Sequence, residues 1–140
     1  MNIATAIRAA AENQLRNDQT VMAAFAPGSV RIYALVPPLP ATFPYIQMAV
    51  QVIGDDTECA EGAEAVLTLE IFARDATHEA SAERAEAISG AARRALVREL
   101  TLDGHVMDDW LFEGDRPISD PDVLTAHRSL SITYLTTASA

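Results

Sequence analysis

The side chains able to do covalent or metal chemistry in this chain are few and poorly spaced for it. The one cysteine, Cys59, stands among Asp55, Asp56, Glu58 and Glu61. Neighbouring carboxylates disfavour a thiolate, so no catalytic role is expected for Cys59, and a lone cysteine forms no internal disulfide. The histidines His78, His105 and His127 are isolated from one another and from Cys59. Zinc sites draw ligands from close sequence pairs, so these three are expected in solvent or at helix ends. Carboxylates crowd one stretch, at Asp103, Asp108, Asp109, Glu113, Asp115, Asp120 and Asp122. Clustered acids hold Mg²⁺ or Ca²⁺. The spacing of a calcium loop is absent, however, and strand alternation would send Asp108 and Asp109 to opposite faces. A solvated or interfacial surface is the expectation. The rival is a small acidic metal-binding enzyme using Asp103, Asp108, Asp120 and Asp122.

Nucleophilic and phosphate-handling sites are missing too. None of the seven serines stands in a Gly-x-Ser-x-Gly elbow, and no glycine-rich phosphate loop exists. All ten basic residues are arginine, which removes Schiff-base and phosphate-loop lysines. Arg93, Arg94 and Arg98 form a modest basic group that helix-dipole complementation explains more simply than nucleic-acid binding. The residues therefore predict no enzyme, no cofactor and no metal.

The elements that would position these groups follow from periodicity. Ile3, Ile7, Ala10, Ala11 and Leu15 predict an amphipathic helix over 1–16. A short second helix with Val21, Met22, Ala24 and Phe25 inward is stopped by Pro27-Gly28. A strand-like run over 30–36 passes into an extended proline-rich connection, Pro37-Pro38-Leu39-Pro40 and Pro44. Alternation predicts strands over 45–53 and 64–74, joined by an acidic hairpin-type loop over 54–62. A long helix over 77–100 buries Ala85, Ile88, Ala92, Leu96 and Leu100, with acids early and arginines late. After the Asp103-Gly104 turn come a strand over 105–113, a loop over 115–122 and a last strand over 125–136. The order predicts one α+β domain over 1–140, an antiparallel or mixed sheet with helices on one face. Its expected core is Ile46, Met48, Val50, Leu67, Leu69, Ile71, Ile88, Leu96, Leu130 and Ile132.

Bulk properties narrow the role. The length fits a single domain, and 49% hydrophobic with 21% charged residues is an ordinary globular balance. A net charge of -10 opposes wrapping of nucleic-acid phosphates. The first 17 residues lack the pattern of a secretory leader, and no apolar run reaches the roughly 18–20 residues of a membrane span.

Five segments together resemble a known family. They are "DQTVMAAFA" behind an N-terminal helix, "VRIYALVPP", "FPYIQMAVQV", "EAVLTLEIFARDATHEASAERAEAISGAARRAL", and "HRSLSITYL" after the acidic "GDRPISDPD". In this order they resemble the tail terminator, or tail-completion, proteins of long-tailed bacteriophages and gene transfer agents, over nearly the whole chain. The resemblance implies a non-enzymatic virion protein, assembled in the bacterial cytoplasm and placed at the neck. There it forms a ring, commonly of six subunits, on the head-proximal end of the tail tube. The implied partners are further copies of itself, the tail tube protein and a head-completion or stopper protein. DNA passes through the lumen without specific binding, and no membrane is involved. Another neck component, a stopper or adaptor, is the nearest alternative. The interface residues expected are Asp55, Asp56, Glu58, Glu61, Arg74, Arg93, Arg94, Arg98, Asp115, Asp120 and Asp122. Acidic loops and arginines would set the register between neighbouring copies.

Overall fold

The chain is described by a computed structural model covering residues 2–34, 36–55 and 62–139. Helix α1 (Ile3–Asn17) begins where the Asn2 side chain accepts a hydrogen bond from the Thr5 amide at 2.8 Å. It buries Ala6, Ile7, Ala11 and Leu15. Asp18 ends α1 and starts α2 (Gln19–Phe25), its carboxylate accepting from the Val21 amide at 3.0 Å. Val21 and Phe25 are buried, whereas Met22 is 41% exposed, contrary to expectation. A seven-residue helix buries one i, i+4 face, and Met22 lies beside it.

Five strands form one sheet in the order β1-β2-β3-β5-β4. They are β1 (Ile32–Tyr33), β2 (Tyr45–Asp55), β3 (Gly62–Arg74), β4 (His105–Ile118) and β5 (Thr125–Ala138). The β1–β2 pair is parallel and the rest are antiparallel. The strand expected over 30–36 thus shrinks to two residues, because the prolines that follow supply no N–H for a ladder. At the other edge β4 runs five residues past its expected end, through Pro117 to Ile118. An edge strand tolerates a proline because one of its sides makes no ladder bonds.

Helix α3 (His78–Leu96) is capped by the Thr77 hydroxyl, which accepts from the Ala80 amide at 3.0 Å. It ends four residues before the expected boundary. Leu100 is still buried, but in the connection, with its N–H donating to Met107 Sδ at 3.3 Å. The helices cover one sheet face, where Ile46, Met48, Leu67, Leu69, Ile71, Leu130, Ile132 and Tyr134 meet Ile7, Leu15, Phe25, Ile88 and Leu96. Of the expected core only Val50 is merely half-buried. Two clamps hold the helix layer. Tyr134 donates its hydroxyl to the Leu96 carbonyl at 2.5 Å, and Arg84 donates to the Ala24 and Ala26 carbonyls at 3.1 and 2.9 Å while pairing with Asp75 at 2.8 Å.

Candidate functional site

The two lateral edges of the sheet differ in chemistry. At one edge β4 has β5 as its only strand partner, and beyond the Leu102–His105 bridge its outer side, residues 106–118, faces no other strand among the described residues. This edge and its flanking turns, 103–122, carry seven carboxylates and one arginine. Register breaks between Met107 and Asp109 and between Phe112 and Gly114 mark two bulges. Such bulges and charges blunt an edge against indiscriminate pairing. The first bulge also overturns the alternation expected of Asp108 and Asp109. Asp109 sits opposite Leu135 on the uncovered face, and Asp108 accepts a hydrogen bond from Thr137, which the same register places on that face.

At the opposite edge β1 spans only Ile46 and Gln47 of β2. From Met48 to Asp55 the outer side of β2 has no strand partner among the described residues. No acid occurs anywhere in residues 19–54, and Arg31 is their sole charge.

The expected interface charges divide by partner. Asp56, Glu58 and Glu61 lie outside the described residues, as does Cys59, and the backbone of Asp55 pairs with Ala63 at the end of β2. Arg74 and Asp122 pair with each other at 3.1 Å within the chain. Asp115 accepts from the Ser89 hydroxyl at 2.7 Å and from Arg128 at 3.0 Å, binding β4, β5 and α3 together. Arg93 stacks its guanidinium 3.6 Å over the centre of the Phe112 ring. Arg94 and Arg98 are exposed on and just past the end of α3. Asp120 accepts from the Asp122 amide at 2.9 Å, and Asp122 accepts from the Leu124 amide at 3.0 Å and the Thr125 hydroxyl at 3.1 Å. The bond from Leu124 above all, then those from Thr125 and Arg74, hold the Asp122 carboxyl below its ordinary pKa.

This self-tied loop, 119–124, forms one wall of a cleft of about 600 Å³ whose other wall is the start of α3. Half of its lining is apolar, including Ala82, Ala85, Pro117, Ile118, Leu124 and Ala126, and half is polar or charged, including His78, Asp120, Asp122 and Arg128. His78 Nδ1 lies 2.8 Å from the Val123 carbonyl oxygen and joins the two walls. Sequence reasoning missed this cleft, since its walls are more than thirty residues apart in the chain.

An aromatic row crosses the uncovered face at the same end of the sheet. Tyr33, Tyr45, Phe72 and His127 follow one another with ring centres 6.0, 4.9 and 4.2 Å apart. Burial, then the charge of Asp120, raises the Tyr45 pKa. His127 is therefore a packed strand residue, 3.6 Å from Glu70, and not the solvent or helix-end residue expected. His78 does stand at a helix end. Among the described residues no three His, Cys, Asp or Glu side chains are grouped to hold a metal ion.

These features define an α+β domain with the helices on one sheet face and two chemically unlike sheet edges. The chain belongs to the family of tail completion protein gp17, whose model matches residues 3–137. It is accordingly a structural protein of a phage-type tail and a component of the virion. In fold it is similar to a chain in the solved virion of a native gene transfer agent particle. The two are 20% identical over 96% of each chain, with a TM-score of 0.80. No curated protein matches it in sequence.

Proposed function

We propose that this protein is the tail terminator of its particle and has no catalytic activity. Copies form a closed ring, six-fold in the expected case, on the head-proximal end of the tail tube. The ring stops addition of tube protein and offers its second face to a head-completion protein, and DNA passes through its lumen. The observation that carries this reading is the unlikeness of the two edges. Two of the seven carboxylates of the β4 rim, Asp115 and Asp122, pair with arginines of their own chain, and the other five disfavour a copy of the same rim and favour the acid-free rim of a neighbour. Repeated about an axis, such a heterologous contact closes a ring with two distinct faces, as a junction between two distinct structures requires.

Membership of the tail completion family and the fold shared with a virion chain support this reading. The exposed Arg94 and Arg98, with Arg93 beside them, supply positive charge near the β4 rim. With Arg74 and the acids at 55–61, 115, 120 and 122 they make up the proposed contact set. Six copies carry a formal charge of about -60 at -10 each, which disfavours retention of DNA in transit. Native mass spectrometry of the purified protein tests the ring. A six-subunit species supports the proposal, and a monomer at every concentration contradicts it.

A further inference from the structure

The most exposed large apolar side chains among the described residues are Leu39 at 90%, Val36 at 81% and Val123 at 75%. The first two stand on the proline-rich strap that leads into β2, and the third stands on the wall of the cleft beside β4. None has a covering element among the described residues. We propose that the strap of one copy docks in the cleft of the next, with Val36 and Leu39 seated between α3 and the 119–124 loop. This inference rests on the ring reading and names the surfaces that make the contact.

Position supports it first. The register Tyr45↔Phe72↔His127↔Ile118 places the start of β2 and the end of β4 at the same end of the sheet. The strap thus lies at the β1 edge and the cleft at the β4 edge, level with each other. Four strand spacings, about 19 Å, separate the two edges. With Val36 and Leu39 exposed, a strap does not fill its own cleft, whereas rotation about a ring axis brings one lateral edge against the other at equal height.

Chemistry supports it second. Pro37, Pro38 and Pro40 have no N–H, so burial of the strap leaves few donors unpaired. Consecutive prolines favour the polyproline II conformation, whose three-residue period sets residues 36 and 39 on one side, about 9 Å apart. In keeping with that, Pro37 between them is buried in its own chain. The cleft is apolar at Ala82, Ala85, Pro117, Ile118 and Leu124, and its 600 Å³ falls within the roughly 300–1,000 Å³ of well-formed binding pockets.

Charge supports it third. One wall of the cleft carries Asp120 and Asp122, and the strap belongs to the segment 19–54, which has no acid. Contact between two clefts would oppose like charges.

Site-directed crosslinking tests the contact. In a Cys59→Ser background, Leu39→Cys and Val123→Cys are made singly and together, and each protein is treated with a short bis-maleimide crosslinker. Leu39 and Val123 are exposed, Cys59 lies outside the described residues, and native mass spectrometry checks assembly before crosslinking. The chain with both cysteines is expected to give a covalent ladder up to the closed ring, and neither single-cysteine chain any ladder. Rings that assemble yet give no ladder overturn the strap contact and leave the ring reading standing. A parent protein that is monomeric throughout overturns both. Efficient dimers from a single-cysteine chain also overturn the inference, since they put like surface against like. A second variant, Val36→Ser with Leu39→Ser, is expected to keep the folded monomer and to need at least about tenfold more protein to assemble. Unchanged assembly overturns the contact.

Discussion

Leu69→Ala probes the frame that holds both edges in place. Leu69 is fully buried in β3, between Met48 of β2 and Leu130 of β5. The substitution removes three carbons, worth about 2.4 kcal/mol at about 0.8 kcal/mol per buried methylene. The helix layer is clamped through Arg84 and Tyr134 and collapses only partly onto the gap. A residual void of about 50 Å³ adds about 1.2 kcal/mol at about 24 cal/mol per Å³. The expected loss is therefore about 3.6 kcal/mol. With a urea slope of about 2 kcal/mol per molar, the unfolding midpoint falls by about 1.8 M. Fluorescence of the single tryptophan, Trp110, follows this transition, in dilute protein so that assembly does not contribute. Val50→Ala, at a half-buried site on the same face, is expected to lose only about 1 kcal/mol. A Leu69→Ala loss below about 1 kcal/mol at unchanged slope refutes the packing described, as does a Val50→Ala loss as large as that of Leu69→Ala.

Other outcomes follow from the clamps and from the charges. Arg84→Gln removes the Asp75 ion pair and bonds to two carbonyls at the end of α2, and is expected to destabilise the monomer by roughly 2–3 kcal/mol in the same assay. Burial raises the Tyr134 pKa, so its proton-linked stability is complete below the unfolded tyrosine value of about 10 and is lost as pH rises above it. Ultraviolet titration should show Tyr134 ionising only as the chain unfolds, and Tyr134→Phe should remove that late step. The Asp122 pKa is lowered, so its contribution is present above the unfolded aspartate value of about 3.9 and is lost as pH falls through the folded value. Hydrogen exchange at the Leu124 amide should accelerate there, and in Asp122→Ala at neutral pH, with the global unfolding midpoint unchanged. Arg93→Glu with Arg94→Glu is expected to leave the monomer folded and to weaken its oligomer, measured by native mass spectrometry at graded salt. An oligomer as salt-resistant as the parent's removes these arginines from the contact.

The elements legible in the sequence were those whose periodicity agrees with their packing. The alternation of Leu67, Leu69 and Ile71 and the helical stripe of Ala85, Ile88, Ala92 and Leu96 fixed the sheet, its covered face and most of the core. Boundaries were lost where tertiary contacts override local pattern. Leu100 continues the helical stripe yet is buried from a connection, because Met107 accepts its N–H. Pro117 reads as a loop yet sits in β4, because an edge strand tolerates it. The run over 30–36 reads as a strand yet pairs with β2 at only two residues, because the prolines that follow cannot extend the ladder.

The rims were legible as composition but not as places. The acids of 103–122 were visible, but the bulge that brings Asp108 and Asp109 to one face depends on the register with β5. The Arg74–Asp122 pair and the cleft join segments more than thirty residues apart, which no local pattern reveals. His127 gave no sign of its stack on Phe72, since the pairing of β3 with β5 decides it.

As the proposed terminator, this chain ends the growth of a tail tube. Tail length in particles assembled with and without it, measured by electron microscopy, tests that claim most directly. Tails of uniform length joined to heads are expected when the chain is present, and overlong, headless tubes when it is absent. Tails of normal length without the chain would contradict it.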